Sequence, residues 1–188
     1  MGSSHDETAP GELELVRTFI NTADLLRGAE TLASPAQLAA WLSERGLIDR
    51  DATLGEEDVV RARDVREALR CLIAANGGPA CAPEALATLQ EAAARAPLQV
   101  RFDERGLGAR LEPLDQGVDG ALARLLAIVH RAMHVGEWSR IKTCRDPECR
   151  WAFFDHSKNR SAAWCDMASC GNRNKARRRR QGHAHTTA

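Results

Sequence analysis

The chain has 188 residues whose 26 Lys and Arg are matched by 26 Asp and Glu. That zero net charge conceals a division: Ser139 to Ala188 carries 12 basic against 4 acidic residues, while Met1 to Trp138 carries 14 against 22. Residues 1–16 include Asp6, Glu7, Glu12 and Glu14 with no apolar run, which excludes a signal peptide or membrane span there and predicts a cytoplasmic protein with reduced thiols.

In chain order, Leu13, Val16, Phe19 and Ile20 mark an amphipathic helix ending near Asn21. Ser34-Pro35-Ala36-Gln37 is a capping box with proline at the first helical position. Leu38, Trp41 and Leu42 continue that helix to about Arg45, and Gly46 stops it. A third helix spans Glu56 to Ala75, with acids in its first turn and Val59, Ala62, Val65, Leu69, Leu72 and Ile73 as its apolar stripe. Asn76-Gly77-Gly78-Pro79 ends it, and Pro83 to Arg95 forms a fourth. Leu98 to Phe102 and Leu107 to Leu111 alternate apolar and polar residues around Asp103–Gly106, the pattern of a β-hairpin. The last helix of this part runs from about Val118 to His134.

Beyond it, Cys144/Cys149 and Cys165/Cys170 form two C-x4-C pairs separated by fifteen residues. Two short loops that each offer two sulfurs suit a tetrahedral four-thiolate site. The symmetric pairing favours one structural zinc over iron or an iron–sulfur cluster, which spacing alone leaves open. Arg140–Thr143 and Arg150–Phe154 read as strands around an Asp146-Pro147-Glu148 turn, and Cys170-Gly171-Asn172 opens a basic helix. The expected fold class is α+β: a mainly helical N-terminal domain with one β-hairpin, and a small treble-clef-like zinc module. The expected divisions are a disordered 1–10, the α+β domain over 11–137, the zinc module over 138–181 and a disordered 182–188. Cys71 and Cys81 lack the spacing and read as small buried hydrophobes.

A zinc-stapled module that ends in cations points to a polyanion partner, DNA first. Arg173, Lys175, Arg177, Arg178, Arg179 and Arg180 are the candidate phosphate contacts on the helix, with Lys158 and Arg160 on the loop before it. Single-stranded RNA, stacked on Trp151, Phe153 and Phe154, and a protein adaptor role are the alternatives.

These residues resemble those of the bacterial CGNR zinc-finger proteins, whose N-terminal part is the ABATE domain. The resemblance rests on Trp138-Ser139-Arg140-Ile141-Lys142-Thr143-Cys144, Cys149 through Asn159, Trp164-Cys165-Asp166-Met167 and Cys170-Gly171-Asn172-Arg173-Asn174-Lys175. Asn21-Thr22-Ala23-Asp24 and Ser34-Pro35 with Leu38 and Trp41-Leu42 resemble its N-terminal signatures. The resemblance implies a stress-related transcription regulator with a zinc-binding, DNA-contacting C-terminus. Two departures stand out: Ser161-Ala162-Ala163 replaces an arginine pair of the family, and no aromatic interrupts the late arginines.

Other chemistry does not converge. His130 and His134 lack the glutamate of a metalloprotease motif and read as helix-end residues. Asn21, Thr22 and Asp24 read as a cap and turn, with an effector pocket as the alternative. With no P-loop, G-x-S-x-G or Rossmann fingerprint, the chain does not read as an enzyme.

Overall fold

The computed structural model describes residues 8–184. The expected disordered ends therefore fall largely outside the described residues. The elements are α1 (Leu13–Ile20), β1 (Ala23–Asp24), β2 (Ala29–Glu30), α2 (Pro35–Ser43), α3 (Glu56–Ala74), α4 (Pro83–Arg95), β3 (Leu98–Phe102), β4 (Ala109–Pro113), α5 (Val118–His134), β5 (Ile141–Thr143), β6 (Ala152–Phe154) and α6 (Asn172–Ala184). Among the described residues the strands pair as three separate antiparallel hairpins, β1 with β2, β3 with β4 and β5 with β6. The architecture is mainly helical α+β, as the sequence predicts.

Local chemistry explains most boundaries. At α2 the Ser34 hydroxyl accepts the Gln37 N–H at 3.3 Å, satisfying one orphan donor of the first turn. The helix stops at Ser43, two residues before the expected end, because Gly46 turns the chain with φ +64° and lets Leu47 N–H donate to Leu42 O. At α3 the Gly55 N–H donates to Asp58 Oδ2 at 2.7 Å, and three acids occupy the first turn, where the helix dipole favours them.

The β3–β4 hairpin departs from its expected bounds. Phe102 pairs with Ala109, so β4 covers residues 109–113 rather than 107–111. Asp103 lengthens the loop: its carboxylate accepts the N–H groups of Arg105 and Leu107, and its own N–H donates to Gly108 O. A side chain that imitates backbone in this way makes a wider turn than alternation alone indicates.

Val16, Phe19, Ile20, Leu38, Leu42, Leu69, Ile73, Leu122 and Leu125 are all within 1% of complete burial. The core they form does not end with α5. Trp138, Ile141, Ala152 and Phe154 belong to the same apolar cluster, so the β5–β6 hairpin is packed on α1 and α3. Ile141 and Phe154, each burying a large side chain, contribute about 2 kcal/mol apiece. The cysteine-bearing hairpin thus leans on the helices as well as on its own staple.

Candidate metal centre and nucleic-acid interface

Cys144 and Cys149 flank a turn at the end of the β5–β6 hairpin, and Cys165 and Cys170 flank the approach to α6. All four are buried, and their sulfurs lie within 4.8 Å of one another. Cys149 and Cys165 Sγ are 3.6 Å apart, and Cys165 and Cys170 Sγ are 3.8 Å apart. Tetrahedral zinc with sulfurs about 2.3 Å away requires S···S separations of about 3.8 Å. The sulfurs fit that ion: this is a structural zinc site, in which the metal supplies cross-linking and charge neutralisation.

The electrostatics of the cluster make the same demand. Hydrogen bonds from Cys149 and then Cys165 pull Cys144 down to about 2. The reciprocal bond to Cys144 pushes Cys149 up to about 12, and Cys144 then Cys149 push Cys165 upward as well. Left to one another, neighbouring sulfurs resist carrying full charges together. A dication removes that conflict.

The turn between the first two cysteines is built on Asp146, whose side chain is fully buried. Its carbonyl accepts the N–H groups of Cys149 and Arg150, and its carboxylate accepts Arg173 Nε at 2.6 Å and Arg177 Nη1 at 3.5 Å. Arg177 also reaches Glu148 at 3.2 Å, and Arg173 Nη2 donates to Cys170 Sγ at 3.0 Å. The first two arginine positions of α6 therefore clamp the helix to the metal turn. The Asp146 hydrogen bond, the largest influence, raises the Arg173 pKa above the ordinary guanidinium value.

A second buried acid, Asp155, shapes the crossing loop. It accepts Lys142 Nζ at 2.6 Å, Ser157 Oγ at 2.5 Å, and the N–H groups of Ser157 and Ala162 at 3.0 Å. Burial alone would raise its pKa, but Lys142 and Ser157 outweigh that and hold it below the usual 3.8. Lys142 Nζ also donates to Arg160 O at 2.5 Å, while Arg160 itself sits at φ +51° and reaches Ser139 Oγ at 3.1 Å. The Ser161-Ala162-Ala163 segment serves the loop through its backbone, Ala163 O accepting the Arg145 N–H at 2.9 Å.

Asn21, Arg70 and Asn76 of the helical part reach into this module. Asn21 at the end of α1 pairs with Ala152 in both directions: Nδ2 donates to Ala152 O and Oδ1 accepts Ala152 N–H, each at 2.8 Å. Arg70, completely buried on α3, donates to Arg150 O at 3.0 Å, Ile20 O at 2.6 Å and Ala23 O at 3.2 Å. Burial pushes its pKa below the ordinary guanidinium value, with Glu67 opposing. Asn76 Nδ2 donates to Trp138 O at 2.7 Å and Ile141 O at 2.9 Å.

Asn21 is thus at a helix end, as expected, yet its amide works as a surrogate strand residue for β6. Thr22 Oγ1 donates to Phe19 O and accepts from Arg66, and Asp24 accepts Arg27 N–H, so both serve the turn. His130 and His134 are exposed at the end of α5 with stacked rings 6.1 Å apart. The reading of Cys71 and Cys81 as buried hydrophobes is corrected. Both are partly exposed, and their sulfurs are 2.9 Å apart, because the turn after α3 brings the chain back beside the helix.

On α6, Lys175, Arg178, Arg179 and Arg180 are exposed, as are Lys158 and Arg160 on the loop. At about 100° per residue, Lys175, Arg178 and Arg179 lie roughly 140–240° around the helix from Arg173, on the side away from the clamp.

Hairpin, four buried thiolates and a basic helix, seated on a helical core, define a zinc-finger protein with an appended α+β domain. The chain belongs to the ABATE family, whose description is "putative stress-induced transcription regulator", over residues 13–135. Residues 140–183 match the CGNR zinc finger. Neither is an enzyme family, and no curated protein matches the chain. Among the described residues no helix is long and apolar enough to cross a membrane.

Proposed function

We propose that this transcription regulator binds duplex DNA through the outer face of α6. The observation that carries the proposal is the division of labour on that helix: Arg173 and Arg177 hold it to buried Asp146, which leaves Lys175, Arg178 and Arg179 on exposed positions of the opposite side, with Arg180 exposed one turn beyond the clamp. Cations preorganised in this way neutralise phosphates without first losing the freedom of a loose tail. Lys158 and Arg160 on the loop are further backbone contacts in this reading. Single-stranded RNA is less well served: Phe153 and Phe154 are only 9% and 8% exposed, which leaves the half-buried Trp151 as the ring of the three with surface to offer a base.

The helical part is the regulatory one in this scheme. A cleft of about 440 Å³ is lined by Arg17 of α1 together with Phe154, His156, Trp164 and Met167 of the zinc module. A small effector seated there would touch both parts at once.

The test is fluorescence anisotropy of zinc-loaded protein with labelled random-sequence duplex DNA across a salt series. The comparison is a variant carrying Lys175→Ala, Arg178→Ala and Arg179→Ala. At a slope of about −0.9 per phosphate contact, the variant should lose about 3 from the log–log salt slope. No binding by the wild type at low salt, or an unchanged slope in the variant, would refute the proposal.

A further inference from the structure

The two cysteines outside the metal centre form a site of their own. Cys71 lies in the last turn of α3, and Cys81 lies in the irregular segment just before α4. Their sulfurs are 2.9 Å apart, against about 2.05 Å in a disulfide, so joining them takes a shift of less than about 1 Å. The segment between them is able to give that shift. It turns at Gly78 with φ +128°, and residues 78–80 are exposed.

The two sulfurs are not equivalent. Cys71 Sγ accepts hydrogen bonds from the Cys81 thiol and from Ala82 N–H at 3.3 Å. Burial first, and then the Cys71 contact, push Cys81 up to about 11, in keeping with its role as the S–H donor of the pair. Partial exposure distinguishes both from the four buried zinc cysteines and leaves them open to a small oxidant.

We propose that Cys71 and Cys81 form a reversible disulfide with a small peroxide as oxidant, and that this bond braces the turn gripping the zinc module. In the first step Cys71 sulfur attacks a peroxide oxygen. The O–O bond breaks, and Cys71 sulfenic acid and water are formed. In the second step Cys81 sulfur attacks Cys71 sulfur. The S–O bond breaks, the S–S bond forms and a second water leaves, so hydrogen peroxide gains the two electrons that the thiols lose. A dithiol reductant reverses the reaction.

The consequence follows from what lies between the cysteines. Asn76, whose amide holds Trp138 O and Ile141 O, and Gly77, whose carbonyl accepts Arg145 Nη2 at 3.2 Å, are both inside the span, residues 72–80, that the bond would close. Closing the span restricts the turn's escape from these partners. The oxidised protein should therefore hold its zinc more persistently. This inference does not depend on whether α6 binds DNA.

The experiment treats the full-length, zinc-loaded protein with hydrogen peroxide and follows intact mass, cross-linked peptides and zinc transfer to a chromogenic chelator. The expected result is loss of two hydrogens with zinc retained, a linked Cys71–Cys81 peptide, and several-fold slower zinc transfer. All three effects should reverse with reductant and be absent from Cys71→Ser and Cys81→Ser. Zinc release by oxidation of Cys144, Cys149, Cys165 or Cys170 before any Cys71–Cys81 link would overturn the site. So would separate sulfinic acids at Cys71 and Cys81. A formed link with an unchanged transfer rate would overturn the bracing.

Discussion

Replacing Arg70 with methionine isolates the pin between the helices and the zinc turn. Methionine keeps an unbranched chain of similar reach, so the change removes hydrogen bonds without opening a large cavity. Two buried carbonyls, those of Ile20 and Ala23, and the part-exposed carbonyl of Arg150 lose a charged donor; at about 1.5 kcal/mol for each buried one and about 1 kcal/mol for the third they account for about 4 kcal/mol. The ion pair to Glu67 at 3.0 Å adds little, because Glu67 is 44% exposed and solvent screens it. The expected loss is about 4 kcal/mol, measured by urea unfolding of zinc-loaded protein with tryptophan fluorescence as the signal. Because Arg150 follows the metal ligand Cys149 directly, zinc transfer to a chelator should also accelerate. A loss below about 1 kcal/mol would show that these carbonyls find other donors and that Arg70 is no pin.

Removing the metal, or changing Cys165 to Ser, should release the segment from Cys144 to α6 while the helices persist, because structural zinc contributes on the order of 10 kcal/mol to such a module; hydrogen exchange of α6 and α3 amides checks both halves of that statement. Glu30 is held below its usual 4.5: burial alone would raise it, but Arg66 at 2.7 Å, the Leu32 N–H and Arg63 outweigh burial. Its contribution is therefore present above the unfolded value and is lost as pH falls through the lower folded one. Glu30→Gln should cost about 1 kcal/mol at neutral pH, discounted for partial exposure, and the urea midpoints of variant and wild type should converge in acid. Arg177→Ala should lower module stability by up to about 1 kcal/mol, whereas Arg178→Ala should leave thermal stability within about 0.5 kcal/mol and lower the DNA salt slope by about 1. The opposite pattern in melting and anisotropy would reverse the assignment of helix faces.

Features written in short-range spacing are legible without the fold. Ser34-Pro35, the acids opening α3 and the apolar stripes placed the helices, since caps and i,i+4 neighbours interact within a turn. The two C-x4-C pairs identified the metal ligands, because four thiolates on two short loops have few other uses. Even local reading failed where a side chain replaced backbone: Asp103 lengthened its loop, and the two-residue strands β1 and β2 carry no alternation to detect. A faint signal did mark Arg70, a charge one residue after Leu69 and three before Ile73 in an apolar stripe.

Which polar groups meet is set by long-range packing. Arg70 finds Arg150 across 80 residues, and Asn21 finds Ala152 across 131. No periodicity encodes such pairs, because they arise when packing of Ile141 and Phe154 on α1 and α3 brings distant carbonyls to one buried surface that must be hydrogen-bonded. The same folding turned the uniform run of arginines into two faces. Asp146 reads as a turn residue in the sequence, yet its burial beneath α6 makes Arg173 and Arg177 structural, and the direction of the helix follows from that contact. Cys71 and Cys81 became neighbours for the same reason: a chain reversal places atoms side by side that linear spacing keeps apart.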